Sequence, residues 1–231
     1  MRGDSYLVIS DLQIPFDAPS SLKFTRLVQS HFKIPRDHVI CVGDEVDQYW
    51  GGQWLKSPDA RHTPNDELDE TRDRLKEWYA AYPKLRLFVS NHGIRWAKKA
   101  FEAQIPSQLI KPWREVIGAP AGWQWRHRWD IDTAHPWSVI HGMGYSGVNG
   151  HRNAALDLGR SVAIGHLHGF GGVARVTTET QTLWGMNVGC LVEPDAYAFE
   201  YGRYSRNKPT LGLGVVLNDG KIPLFVPYEA I

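Results

Sequence analysis

The feature that most limits what this chain can fold into is a set of short, continuous apolar runs separated by helical patterns. Tyr6–Ser10, Val39–Val42, Leu85–Val89, Trp137–Ile140 and Val162–Ile164 are each bounded by turn residues. Runs this short and without alternation fit strands buried on both faces. Two helical patterns lie between the first three. Ser20–Phe32 carries Leu22, Leu27, Val28 and Phe32 at mixed spacings that favour a helix. Thr63-Pro64-Asn65-Asp66 reads as a capping box with Pro at the first helical position. The helix it opens sets Leu68, Leu75, Trp78, Tyr79 and Tyr82 opposite Glu67, Asp69, Glu70 and Asp73. Strand, helix, strand, helix, strand predicts an α/β fold with right-handed crossovers and a largely parallel sheet.

The last third reads differently. Val173–Thr177, Thr182–Val188, Ala196–Tyr201 and Gly212–Leu217 are strand-like, and Asn218-Asp219-Gly220 turns into Ile222–Val226. These predict a second, more antiparallel sheet. No repeat, low-complexity tract or linker divides the chain, so residues 1–231 read as one domain.

Composition narrows the chemistry. The chain has 26 Lys+Arg against 25 Asp+Glu, so no global field draws it to nucleic acid or to a membrane surface. Only a local patch would. No stretch nears the ~18 consecutive apolar residues of a membrane span, and the N-terminus lacks a signal-peptide pattern, so the expected compartment is cytoplasmic. Cys41 and Cys190 form neither a disulfide framework nor a thiolate metal site. Any bound metal must therefore rest on His, Asp, Asn and Gln.

Each buried strand delivers a polar group at its carboxyl end, the edge where α/β sheets bind ligands. The first runs into Asp11 and Gln13, the second into Gly43-Asp44, and the third into Asn91-His92. The fourth runs into His141 and the fifth into Gly165-His166-Leu167-His168. One such residue is ordinary turn chemistry; five in order are not independent turns. Two divalent cations held about 3.5–4 Å apart need a bridging carboxylate with neutral imidazole and amide ligands, and a free His nearby can protonate a leaving group.

Asp11-Leu12-Gln13, Gly43-Asp44-Glu45-Val46-Asp47, Asn91-His92, His141-Gly142 and Gly165-His166-Leu167-His168 together resemble the five ordered motifs of the calcineurin-like metallophosphoesterases. The resemblance implies two stacked mixed β-sheets flanked by helices, a four-layer αββα sandwich. It implies two divalent metal ions, with Mn²⁺ favoured and Mg²⁺, Fe or Zn²⁺ as alternatives. Asp11, Gln13, Asp44 and His168 would serve the first metal; Asp44 would bridge to the second, served by Asn91, His141 and His166. A hydroxide between the metals would attack phosphorus, with His92 as general acid or as a donor to the phosphoryl oxygen. Asp47 resembles the carboxylate that pairs with this His and raises its pKa.

The pattern has departures. Gln13 stands where the family has His, which favours Mn²⁺ or Mg²⁺ over Zn²⁺; it would either ligate directly or hold a metal-bound water. Gly93 follows the Asn-His pair where an acid is usual, so support for His92 falls to Asp47. Gln48 replaces the phosphate-binding Arg of the Ser/Thr protein phosphatases, so the phosphodiesterase and nuclease branches fit better.

Other segments admit two readings each. Gly142-Met143-Gly144-Tyr145-Ser146-Gly147 spells a dinucleotide-type glycine motif but lacks its acid about 20 residues on, so the glycines read as a loop passing near the metals. His151 and Arg152 would touch substrate phosphate or lie on the surface. Tyr49, Trp50 and Trp54 would wall a flat leaving group or pack against the core. Residues 94–129 hold seven Lys/Arg against two Glu, with five tryptophans. That segment is either a platform for single-stranded nucleic acid or, over Trp123–Trp129, a strand with one wet face.

The expected function is hydrolysis of a phosphate ester, of phosphodiester or nucleotide type, with that ester as the partner and no membrane. A metal-dependent nuclease acting on DNA or RNA is the alternative, and a non-catalytic scaffold on the same fold is the third reading.

Overall fold

A computed structural model describes residues 3–202 and 206–230. Among these residues, eleven strands form two sheets. The first strands are β1 (Tyr6–Ile9), β2 (Val39–Cys41) and β3 (Lys84–Phe88), linked by helices α1 (Ser21–Phe32) and α2 (Pro64–Ala81). After β3 come α3 (Arg95–Glu102), the single turn α4 (Trp113–Val116) and β4 (Gly122–Arg126). Then follow β5 (Trp129–Ile131), β6 (Trp137–Ile140), α5 (Gly150–Leu158) and β7 (Ser161–Ile164). The chain closes with β8 (Gly172–Thr177), β9 (Thr182–Asn187), β10 (Gly212–Leu217) and β11 (Ile222–Pro227). One sheet runs β11-β10-β1-β2-β3-β4 and the other β5-β6-β7-β9-β8. Both are mixed: β1–β4 are mutually parallel with β10 antiparallel to β1, and β6, β7 and β9 are parallel between antiparallel β5 and β8.

Alternation along β1 explains the layering. Leu7 and Ile9 point to a core shared with Phe24 and Val28 of α1 and Leu75 and Trp78 of α2. Tyr6 and Val8 point the other way, into a core with Ile40, Val42 and Phe88 that meets Trp137, Val139, Ala163 and Met186 of the second sheet. Beyond that sheet, Ala154 and Ala155 of α5 cover Val162 and Ile164. The strands read as continuous apolar runs because each lies between a helical layer and a facing sheet. The result is the helix–sheet–sheet–helix sandwich expected from the resemblance.

Several local expectations need correction. The first three motif-bearing strands, β1, β2 and β3, are parallel neighbours as expected, and β6 and β7 belong to the other sheet. The last third makes no sheet of its own, because β8 and β9 extend the second and β10 and β11 the first. Ala196–Tyr201 is not a strand; Tyr197–Gly202 forms tight 3₁₀ turns. Adjacent Ala198 and Phe199 are both buried, in one small cluster with Phe16 and Tyr49. Trp123–Trp129 is two strands in different sheets. Trp123 is buried against Tyr79 and donates its indole N–H to the Tyr82 carbonyl at 2.8 Å, and Trp125 donates to Glu45 Oε1 at 3.0 Å. Trp129 packs on the inter-sheet core with the Arg126 guanidinium 4.1 Å from its ring centre. These tryptophans are packing residues. The turn at 218–220 is as expected, with Asn218, Asp219 and Gly220 all at positive φ. No helix among the described residues is long and apolar enough to cross a membrane.

Candidate metal centre

The carboxyl ends of β1, β2, β3, β6 and β7 meet at the seam between the sheets. Asp11 N–H donates to the Gly43 carbonyl at 3.1 Å and Gln13 N–H to the Asp44 carbonyl at 2.8 Å, lacing the first two loops together. Gly165 N–H donates to the His141 carbonyl at 3.1 Å, joining the loops of the second sheet. Asp11, Gln13, Asp44 and His166 all adopt positive φ, between 50° and 67°. Left-handed backbone at non-glycine residues costs about 1–3 kcal/mol each and concentrates at functional sites. Four of the residues singled out in the sequence pay it here.

Asp44, His141 and His166 bring ligating atoms within 4.8 Å of one another. His141 Nδ1 lies 2.9 Å from the Val42 carbonyl, so that nitrogen donates. Its Nε2 then faces two acceptors, Asn91 Oδ1 at 2.8 Å and Asp44 Oδ2 at 3.3 Å. A neutral imidazole would aim a lone pair at both oxygens. Either a second proton or a cation must sit there. Burial pulls the His141 pKa down, but the neighbouring Asp44 carboxylate outweighs it and lifts the value to about 9. Burial likewise pushes Asp44 up, and the charges of His92 and His141 overcome it, holding the carboxyl well below its usual range. An arrangement that wants a positive charge among oxygens and imidazole nitrogens fits a divalent cation.

The second set adjoins it. Asp11 is fully buried; its Oδ1 lies 2.9 Å from His168 Nε2, and its Oδ2 accepts from His166 N–H at 2.9 Å and from the Ser10 hydroxyl. Gln13 Nε2 is 3.2 Å from His168 Nε2 and 3.4 Å from His92 Nε2. Gln13 Oε1 is buried without a hydrogen-bond partner. A buried amide oxygen with no donor beside a carboxylate and an imidazole is a ready cation ligand. The structure thus brings Asp11, Gln13, Asp44, Asn91, His141, His166 and His168 together at the seam.

His92 sits beside them, 3.8 Å from Asp44 Oδ2 through Nε2, with its N–H donating to Asp44 Oδ1 at 3.0 Å. The expected pairing with Asp47 is present, His92 Nδ1 lying 3.5 Å from Asp47 Oδ2. His92 Nδ1 donates to the Asp47 main-chain carbonyl at 2.8 Å, while the Asp47 carboxylate accepts from Arg95 Nη1 at 3.0 Å. Arg95 Nη2 lies 2.8 Å from His92 Nε2. Burial, aided by Arg95, lowers the His92 pKa to about 4 although Asp44 opposes it, so the expected elevation is reversed. Burial also lifts Asp47 to about 7 against the pull of Arg95.

Arg95 is the residue the sequence reading missed. It stood among the cations of a basic segment, yet it follows His92 by three residues at the start of α3, a spacing that returns to the same side. Gln48 holds the adjoining backbone, accepting from Trp96 N–H at 3.1 Å and donating to the Gly93 carbonyl at 3.3 Å. Tyr49 lines a cleft beside His92 together with Trp54, whereas Trp50 packs edge-on against Tyr49. His151 and Arg152 open α5 on the outer face of the second sheet, and no described contact joins them to the cluster. Gly142, at φ +107°, lets its loop pass Gly165 closely.

No family model matches the chain, and no curated protein matches it. Among solved structures, Vacuolar Protein Sorting 29 from Cryptosporidium parvum is similar over 97% of this chain and 90% of its own, with a TM-score of 0.50. That protein has the calcineurin-like metallophosphoesterase fold. At 12% identity the likeness is one of fold.

Proposed function

We propose that the protein is a metal-dependent phosphoric ester hydrolase acting on a phosphodiester or nucleotide-type substrate. The observation that carries this reading is His141 Nε2, aimed at two oxygens that a cation would share, with His92 and Arg95 on the open side of the same cluster. When bound, a pair of divalent cations, Mn²⁺ foremost, would supply an activated water and neutralise the phosphoryl oxygens. Asp44 would hold both ions; Asp11, Gln13 and His168 would serve one, and Asn91, His141 and His166 the other. The Val42 carbonyl fixes the His141 tautomer, and the backbone N–H of His92 orients the Asp44 carboxylate. Arg95 would take a phosphoryl oxygen, supplying from α3 the cation that Gln48 does not. With Arg95 drawn to that oxygen, His92 Nε2 would be freed to take a proton from solvent and to pass it to the departing alcohol.

A nuclease is the second reading. Lys98 and Lys99, exposed on α3 beyond Arg95, would carry a strand's phosphates away from the centre. A panel of divalent metals against mono- and diester reporters, cyclic nucleotides, and single- and double-stranded DNA tests both. Turnover of small diesters with intact DNA supports the first reading; Mn²⁺-dependent, salt-sensitive DNA cleavage supports the second. A metal-loaded protein inert toward all of them overturns both.

A further inference from the structure

Charge is balanced over the whole chain, but the segment that follows His92 is neither balanced nor packed. Helix α3 divides into two faces, Trp96, Ala97, Ala100 and Phe101 on one and Lys98, Lys99 and Glu102 on the other. No residue of α3 is buried. Phe101 is 82% exposed, and beyond the helix Leu109 is 75% exposed; Trp96 and Ile105 are exposed as well. The loop after β2 meets the start of this helix, where a Cβ on Gly51 would lie 2.9 Å from Arg95 Cβ and 3.5 Å from Trp96 Cδ2. That loop carries Leu55, at 97% exposure, to the cleft that His92 and Arg95 also line. A helix this short draws its stability mainly from packing an apolar face, and here that face is left open.

The chemistry of this patch selects its occupant. Residues 95–115 hold five Lys/Arg against two Glu, which calls for an anionic partner. Lys99 is paired with Glu102, whereas Lys98, Lys111 and Arg114 form no ion pair among the described residues. A second copy of the chain would bring like charges together. Nucleic acid would use the rings and the cations but leave Leu55, Ile105 and Leu109 without a role, because aliphatic side chains give bases no stacking face. Apolar side chains beside Lys and Arg match the boundary of a bilayer. There the apolar groups enter the acyl region while the cations stay among the headgroups, and anionic phospholipid supplies the complementary charge.

We propose that this edge of the molecule docks on an anionic phospholipid bilayer. Leu55, Phe101 and Leu109 enter the interface, Lys98, Lys111 and Arg114 meet the headgroups, and the cleft at His92 and Arg95 opens beside the membrane surface. Docking of this kind does not depend on ester hydrolysis and is read without turnover. The full chain is floated with vesicles of phosphatidylcholine alone and of phosphatidylcholine and phosphatidylglycerol in equal amounts. It should float with the mixed vesicles, less so as salt rises, and only weakly with phosphatidylcholine alone. Phe101→Ser should weaken binding to the mixed vesicles about tenfold, the scale of keeping one large apolar side chain out of an apolar medium, and Leu109→Ser should do the same. Both side chains are exposed, so the melting temperature of each variant should match wild type. Lys98→Gln combined with Lys111→Gln should narrow the difference between the two kinds of vesicle. No flotation with the mixed vesicles, or flotation unchanged in both Phe101→Ser and Leu109→Ser, overturns the assignment. A protein that ignores vesicles but holds single-stranded oligothymidine through Phe101, or sediments as a Phe101-dependent dimer, overturns it in favour of that occupant.

Discussion

Arg95 Nη2 donates to His92 Nε2 across 2.8 Å, while Nη1 of the same guanidinium holds the Asp47 carboxylate at 3.0 Å. One side chain thus ties the proposed acid to the loop that follows β2. His92 is positioned twice more, by its Nδ1 on the Asp47 carbonyl and its backbone N–H on Asp44. It touches the cluster without being needed to build it.

His92→Ala should therefore lower kcat on a phosphodiester by about 10²–10⁴-fold, the usual contribution of a general acid. Bound Mn²⁺, measured by elemental analysis, should stay at the wild-type level. Unchanged turnover would remove His92 from the chemistry.

Gln13 Oε1 is the buried acceptor that lacks a donor. Gln13→Ala should weaken Mn²⁺ binding at the Asp11–His168 side by about tenfold or more, the scale seen when a metal's supporting groups are removed. Asp44→Asn should weaken both sites. Calorimetric titration with Mn²⁺ distinguishes the one-site loss from the two-site loss.

Gly165 is required by space. A Cβ there would lie 1.8 Å from Ser10 Oγ and 2.6 Å from Asp11 Oδ2, with Asp11 fully buried. Gly165→Ala should displace the Asp11 carboxylate, lowering metal affinity and melting temperature together. Gly118→Ala, at a position with open space but φ +66°, should cost stability without touching metal affinity.

His151 predicts an acid sensitivity separate from the metal centre. Burial holds this imidazole below its ordinary value of 6.5. The unfolded chain then binds the proton more readily, so this group's share of stability is intact above about pH 6.5 and is lost as pH falls toward the depressed folded value. Urea midpoints across about pH 8 to 5 should fall less steeply for His151→Gln than for wild type. Identical slopes would contradict it.

The layering and the cluster were legible because they rest on local patterns. Strands buried on both faces must be apolar throughout, and the chain's change of direction at each carboxyl end exposes the next polar residue to the seam. The parts that escaped depend on tertiary choices. Trp123–Trp129 keeps a two-residue alternation while crossing from one sheet to the other, a step that periodicity does not mark. Ala198 and Phe199 are apolar like strand residues but turn into one small cluster with Phe16 and Tyr49. Asp47 sits at the expected position, 3.5 Å from His92 Nδ1, and shares its carboxylate with Arg95, a residue 48 positions away. Only the fold brings that guanidinium to the pair.

In the proposed function, divalent-metal binding at this cluster and phosphate-ester hydrolysis are one property. Its most direct test is one Mn²⁺ titration of metal-free protein in which bound metal and phosphodiester turnover are read together. Turnover rising as the sites fill, and absent at every Mn²⁺ level in Asp44→Asn, is the predicted result. Full Mn²⁺ occupancy with no turnover of any mono- or diester would contradict it.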